Sequence, residues 1–347
     1  MESPDQKLYF ASDYMEGAHP RVLQALVETN MVSVPGYGSD RFCEDARGRI
    51  LGACACPNGE VHFVGGGTQA NQVVIDALLE PWQGVVAAAT GHVNVHEAGA
   101  IEATGHKVLA LPSSEGKLAA SDVRECWDAW HEDGNWEHMV EPGAVYLSQP
   151  TEYGTLYSLA ELEGISAACR QTGMKLFVDG ARLAYGLACT GNDVSLPDLA
   201  RLADAFYIGG TKCGALCGEA IVFPRAGIAP RFFTRIKQHG ALFAKGRLLG
   251  VQFGALFTDG LYFELGRVAV ESAERIRTAL HDKGYRIYIE SPTNQTFFVV
   301  GDARMEELAE HVVFVFDRKL DDAHTVIRLC TSWATRPEDV DALLGLL

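Results

Sequence analysis

Through its first two thirds the chain alternates short apolar runs with helix-length amphipathic segments, and that rhythm restricts the fold more than any other feature. The runs fall near residues 60–64, 84–89, 107–111, 144–148, 175–179, 204–208 and 219–223. Between the first two, Gln69 to Leu79 sets Val73, Val74, Ala77 and Leu78 on one helical face. Strands joined through helices become parallel neighbours, so the pattern predicts an α/β fold: a mostly parallel seven-stranded sheet flanked by helices. Beyond residue 226 the pattern changes. Long helical segments lead to strand-like RIYIES and TFFVVG, a helix around Met305 to Asp317, the strand TVIRLC and a last helix begun by Arg336 and Pro337. This reads as a smaller C-terminal α+β domain.

At 347 residues the chain exceeds the size at which one hydrophobic core stops growing. We divide it into an N-terminal arm (1–16), a large domain (17–250) and a small domain (251–347), the second boundary falling between 225 and 270. The balance of 29 Lys and Arg against 45 Asp and Glu gives a net charge of −16. Such a surface repels phosphate backbones and anionic lipid, which argues against nucleic-acid and membrane partners. Nine cysteines form no pair of CxxC knuckles, and an odd number cannot all pair, so a reducing, cytoplasmic setting is expected. The opening MESPDQKLYF has no basic stretch followed by an apolar one and predicts no secretory leader.

Three segments carry chemistry. In VHFVGGGTQANQVVIDALL an apolar strand runs into Gly65, Gly66, Gly67, Thr68 and a helix. Glycines admit a ligand close to the backbone, and helix N-termini present unpaired amides, so the turn suits a phosphate. In KLFVDGARLAYG, Asp179 ends a strand, where doubly wound sheets bind their ligands; a helix cap is the other reading. In DAFYIGGTKCGALCGEAIVF, Lys212 sits in a Gly-rich loop between apolar strands with little flanking charge. A phosphate cradle, a strand-end Asp and a loop Lys, in that order, are the parts a pyridoxal 5′-phosphate enzyme requires.

With FASDYMEGAHPRVLQAL, GHVNVHEAGAIEATGH, SQPTEYGTLYSLAEL and IRLCTSWATRPEDVDAL, these segments resemble the low-specificity threonine aldolases over nearly the whole chain. Those enzymes lie within the β-eliminating lyase group of fold-type I pyridoxal phosphate enzymes. The resemblance implies a fold-type I transferase-like architecture. It implies Gly67 and Thr68 at the phosphate, His92 stacked on the pyridine ring, Asp179 at its nitrogen and Lys212 as the lysine joined to the cofactor. Arg182 is implied near the cofactor hydroxyl and the substrate carboxylate, with Arg328 and Ser12 also at that carboxylate. KQHGALFAKGR, with Lys237, Lys245 and Arg247, resembles a segment that reaches a neighbouring subunit's phosphate. A homo-oligomer, dimer or tetramer, with its site between subunits is implied as well.

One position departs from the family. Where an NTHNG-like segment often supplies a histidine for the substrate β-hydroxyl, this chain reads PTEYG, which puts Glu152 there. The proton acceptor is then Glu152, His92 or a water between them. His92 and His96 are four apart, but HVNVHE lacks the HExxH order and a third ligand, and no metal is expected. Cys54 and Cys56 read as small packed groups. The reaction implied is cleavage of L-threonine or L-allo-threonine to glycine and acetaldehyde. The alternative keeps the cofactor and changes the bond broken, as in a β-eliminating lyase, an aminotransferase or a racemase.

Overall fold

In a computed structural model the described residues are 7–347; positions 1–6 of the expected arm lie outside them. A short strand β1 (Leu8–Tyr9) precedes helices α1 (Pro20–Thr29) and α2 (Arg41–Ala53). Alternation then sets in: β2 (Glu60–Val64), α3 (Gly67–Leu78), β3 (Gln83–Ala88), the single turn α4 (His92–Val95), β4 (Val108–Leu111) and α5 (Ala120–His131). It continues with β5 (Glu141–Ser148), α6 (Leu159–Thr172), β6 (Lys175–Asp179), α7 (Leu183–Ala188), α8 (Leu196–Leu202), β7 (Ala205–Gly209) and β8 (Glu219–Phe223). Each of the seven apolar runs is a strand within a few residues of its expected bounds.

They form one sheet in the order β2-β8-β7-β6-β5-β3-β4. The five strands from β7 to β4 are parallel neighbours, and β8 lies antiparallel to both β7 and β2. The link from β7 to β8 is too short for a crossover helix, so the chain returns beside itself. Alternate residues face opposite layers. Val145, Leu176, Val178 and Phe206 join the core that holds Ile50 of α2 and Phe253. Tyr146, Phe177, Tyr207 and Ile221 pack beneath Val73, Val74 and Ile75 of α3. On this second face the strand ends carry polar groups instead: Ser148, Asp179 and Glu219.

Gly180, directly after Asp179, shows how tightly those ends are set. A Cβ there would lie 2.0 Å from the Tyr207 carbonyl oxygen, and the Gly180 carbonyl accepts the Gly209 amide at 3.0 Å. Gly180→Ala is therefore expected to cost about 1–3 kcal/mol in urea unfolding, the range for forced overpacking. A loss below about 0.5 kcal/mol would contradict this packing.

The remaining chain holds α9 (Phe232–Gln238), α10 (Arg247–Leu256), the long α11 (Leu261–Asp282), β9 (Arg286–Ile289), β10 (Gln295–Gly301), α12 (Asp302–His311), β11 (Val312–Val313), β12 (Val315–Lys319), β13 (His324–Cys330) and α13 (Pro337–Leu346). Helix α10 packs on α2, and α11 packs on α7 and on β9, β10 and α13. Strands β12, β13, β10 and β9 form an antiparallel sheet in that order. The helix expected to reach Asp317 stops at His311. Val312 and Val313 leave it to pair in parallel with Leu8 and Tyr9, and β12 joins β13. A β-branched and aromatic run, VVFVF, takes the strand pairings that tertiary neighbours offer. Phe10 extends the stitching, donating its amide to Val313 O (2.8 Å) and accepting the Cys330 amide (2.7 Å). Among the described residues no helix is long and apolar enough to cross a membrane.

Candidate active site

A cavity of about 250 Å³ opens at the carboxyl ends of the parallel strands, beneath the N-terminus of α3. Its wall includes Gly65, Gly66, Gly67 and Thr68, His92, Glu152, Asp179, Arg182, Thr211 and Lys212. Seven of the nine residues expected at the site thus line one cavity: Gly67, Thr68, His92, Glu152, Asp179, Arg182 and Lys212. Ser12 and Arg328 are not among the residues that line it.

Asp179 is the most constrained group. One carboxylate oxygen accepts the Tyr207 hydroxyl (2.5 Å) and the Ala181 amide (2.9 Å); the other accepts the Tyr146 hydroxyl (2.6 Å) and Asn71 Nδ2 (3.1 Å). Burial works to raise its pKa, but the His92 charge and the hydrogen bonds from Tyr146, Tyr207 and Ala181 outweigh it. The group lies below the ordinary Asp range, as a carboxylate.

His92 opens α4, and its Nδ1 lies 2.7 Å from Glu97 Oε1. The same oxygen accepts Asn71 Nδ2 at 2.7 Å, so Asn71 ties the His92 support to Asp179. Burial lowers the imidazole pKa, but the Glu97 hydrogen bond and the charges of Asp179 and Glu97 leave it above the ordinary value. Glu152 accepts the Ser148 hydroxyl (2.7 Å) and the His92 amide (2.9 Å) on one oxygen. Burial raises its carboxyl above the ordinary Glu range despite those bonds.

Lys212 occupies the loop between β7 and β8, its carbonyl accepting the Tyr185 hydroxyl. Among the described residues its Nζ has no hydrogen-bond or ion-pair partner, and it is the one lysine on the cavity wall. Arg182 has a partner that the sequence did not announce. It lines the cavity, but Asp13 holds it through Nε (2.6 Å) and Nη2 (3.2 Å). Asp13 is fully buried and also accepts Asn294 Nδ2 at 2.9 Å. Its burial raises the carboxyl, but Arg182 and Lys212, with the Arg182 and Asn294 bonds, bring it below the ordinary range.

Removing Asp13 strands a buried guanidinium, so Asp13→Ala is expected to lower stability by about 3–5 kcal/mol in urea unfolding. In the wild type this contribution is complete above the ordinary Asp pKa of about 3.9 and fades as pH falls through the depressed folded value. A variant within about 0.5 kcal/mol of wild type would contradict it.

Arg328 on β13 donates to Gln295 Oε1 (3.0 Å) and to the Ala11 carbonyl (2.9 Å), while its Nε is buried with no partner among the described residues. Ser12, one residue beyond Ala11, likewise has an orphaned buried hydroxyl. The Arg328 charge reaches His96, where, after burial and His92, it contributes to a depressed pKa. In the basic segment Lys237 and Lys245 are exposed, whereas Arg247 donates to the Thr29 and Val32 carbonyls of its own chain.

Sequence reasoning missed Asp13, Asn71, Glu97, Tyr146, Tyr207 and Glu219. Asn71 left one signal, a polar residue inside the apolar face of α3; the tyrosines read as core.

The family model described as β-eliminating lyase matches residues 10–303. The low specificity L-threonine aldolase of Pseudomonas sp. (strain NCIMB 10558) is 31% identical over 309 residues, 88% of this chain and 87% of that protein. A solved threonine aldolase of Leishmania major is 42% identical with a TM-score of 0.94, the match covering 97% of this chain and 98% of that one. A double mutant of Thermus thermophilus aspartate aminotransferase, 14% identical, shares the fold alone, with a TM-score of 0.71 over 98% of this chain and 90% of that one. This architecture and cavity define a pyridoxal phosphate enzyme of fold type I. Within that class the chain belongs to the β-eliminating lyase family.

The residues present fit the cofactor. Lys212 offers an unpartnered amine, and Asp179 a carboxylate kept ionised. The first-turn amides of α3 have no intrahelical acceptor, and Gly66 carries no side chain to cap them.

Proposed function

We propose that the protein is an aldolase that cleaves L-threonine, L-allo-threonine and related β-hydroxy-α-amino acids to glycine and an aldehyde. The observation that carries this reading is the carboxyl of Glu152, fixed by Ser148 and the His92 amide in the same cavity wall as Lys212 and Asp179. The likeness to two threonine aldolases supports it.

Bound pyridoxal phosphate supplies the electron sink that makes a Cα–Cβ bond breakable. Lys212 provides the amine that holds the cofactor. Asp179 keeps a proton on its ring nitrogen, and Thr68 with the α3 amides takes its phosphate. His92, oriented through Nδ1 by Glu97, presents its ring to the cofactor. Ser12 and Arg328, each with an orphaned buried atom, take the substrate carboxylate, and Arg182 adds its charge nearby. Glu152 accepts the β-hydroxyl proton as the aldehyde leaves, and the Cα–Cβ electron pair stays with the glycine fragment, whose Cα then regains a proton before glycine is released. A carboxyl raised by burial is the stronger base for that transfer.

The test is product analysis of the cofactor-loaded protein. L-Threonine is expected to give glycine and acetaldehyde in equal amounts. Ammonia and a keto acid in their place would overturn the aldolase reading in favour of elimination.

The working form is proposed to be a cytoplasmic homo-oligomer, a dimer or tetramer, with each site completed by a neighbour. Leu23, Val27 and Met31 follow one another at helical spacing on and just beyond α1, all exposed, Met31 by 89%. Such a stripe suits a second copy of the chain. Val27→Asp is expected to lower the mass measured by light scattering; an unchanged mass would oppose this interface. The nine cysteines are all free, in keeping with a reducing compartment.

A further inference from the structure

Glu219 is a buried acid that the reaction above does not use. It begins β8 and is 3% exposed, yet it lines the same cavity as the glycine turn and Lys212. Register places it between the two. Its neighbour on one side is Val64, the last residue before Gly65; on the other it is Gly209, the last residue before the lysine loop. Its oxygens accept the Gly210 amide (3.0 Å) and the Thr211 hydroxyl (2.8 Å). A carboxyl so placed stands beside the cradle where the cofactor carries its phosphate.

We propose that Glu219 makes cofactor affinity depend on pH: it carries a proton when the phosphate occupies the cradle of Gly66, Gly67 and Thr68. This rests on the cofactor site described above. The physical reason is like charge. An ionised carboxylate in a dry wall repels a phosphate dianion, whereas the neutral acid adds no charge and has an O–H to donate. With each oxygen already accepting one bond from the lysine loop, that O–H is the group left for the ligand.

The surroundings favour the neutral acid near neutrality. Burial raises Glu219 to about 8, with the Thr211 bond and the Lys212 charge pulling it back and Asp179 adding to the rise. The tyrosines and cysteines facing it stay neutral there. Tyr207 and Tyr262 are pushed well above 10, Cys213 to about 12, and Cys217 upward, each chiefly by burial. Asp179 stays ionised. Lys212 is the facing cation.

The experiment measures the dissociation constant of pyridoxamine 5′-phosphate for the full-length protein freed of cofactor, wild type against Glu219→Gln. This ligand carries the phosphate but no aldehyde, so bond formation with Lys212 does not enter. The ligand's own titration is common to both proteins, so the ratio of the two constants reports what the Glu219 carboxyl contributes, its field on Lys212 included. Wild-type binding should weaken relative to the variant by about tenfold between about pH 7.5 and about pH 9.5, because glutamine cannot ionise. A ratio that stays constant with pH, whatever its size, would make Glu219 a structural strut and overturn the proposal. Absence of wild-type binding at any pH would instead overturn the cofactor site itself. Should the variant not fold, infrared difference spectra of the wild type at pH 8.5 decide: ligand binding should bring up a protonated-carboxyl stretch, and its absence would refute the idea.

Discussion

Lys212→Ala is expected to lower threonine cleavage by about 10⁴-fold or more and to remove the visible absorption of lysine-bound cofactor, with little change in folding stability. The size of the effect follows from the cavity. No second lysine lines it, and the one arginine on its wall, Arg182, is committed to Asp13. The small stability change follows from the same geometry. The Lys212 amine gives up no hydrogen bond among the described residues, and its carbonyl still receives the Tyr185 hydroxyl. Turnover within tenfold of wild type, or a retained absorption band, would remove the basis of the mechanism.

Glu152→Gln is the second large effect, about 10²- to 10⁴-fold in kcat, the range for loss of a positioned general base. Its signature is the pH profile. The carboxyl must be ionised to accept a proton, and burial places its pKa above the ordinary Glu value of about 4.3. Wild-type turnover should therefore fall as pH drops through that raised value. Glutamine keeps the shape and can still accept from Ser148 and the His92 amide, so cofactor binding should persist while this acid limb disappears. Retention of both rate and acid limb in the variant would transfer the base role to His92, whose ring shares the cavity.

Much of the site was legible because its main parts are marked by local sequence. Asp179 ends an apolar run, Lys212 sits in a glycine loop between two such runs, and Gly65 to Thr68 lie between a strand and a helix. Strand ends and helix starts collect on one side of a doubly wound sheet, so residues at those points converge without any knowledge of contacts. The supporting groups carry no such mark. Asn71 reaches Asp179 across 108 positions, and Asp13 reaches Arg182 across 169. Tyr146 and Tyr207 look like core aromatics along their strands; only the sheet shows their hydroxyls meeting on one carboxylate.

The order of apolar and amphipathic segments by itself determined the layered α/β architecture, because hydrophobic periodicity fixes which faces must be buried. It also determined the glycine turn, the strand-end acid and the loop amine. Tertiary structure alone decided that Arg182 is held by Asp13, that residues 312–319 leave the helix for strands, and that Glu219 stands between cradle and lysine. These depend on which distant groups meet, and for a buried charge the partner it meets sets both its cost and its protonation.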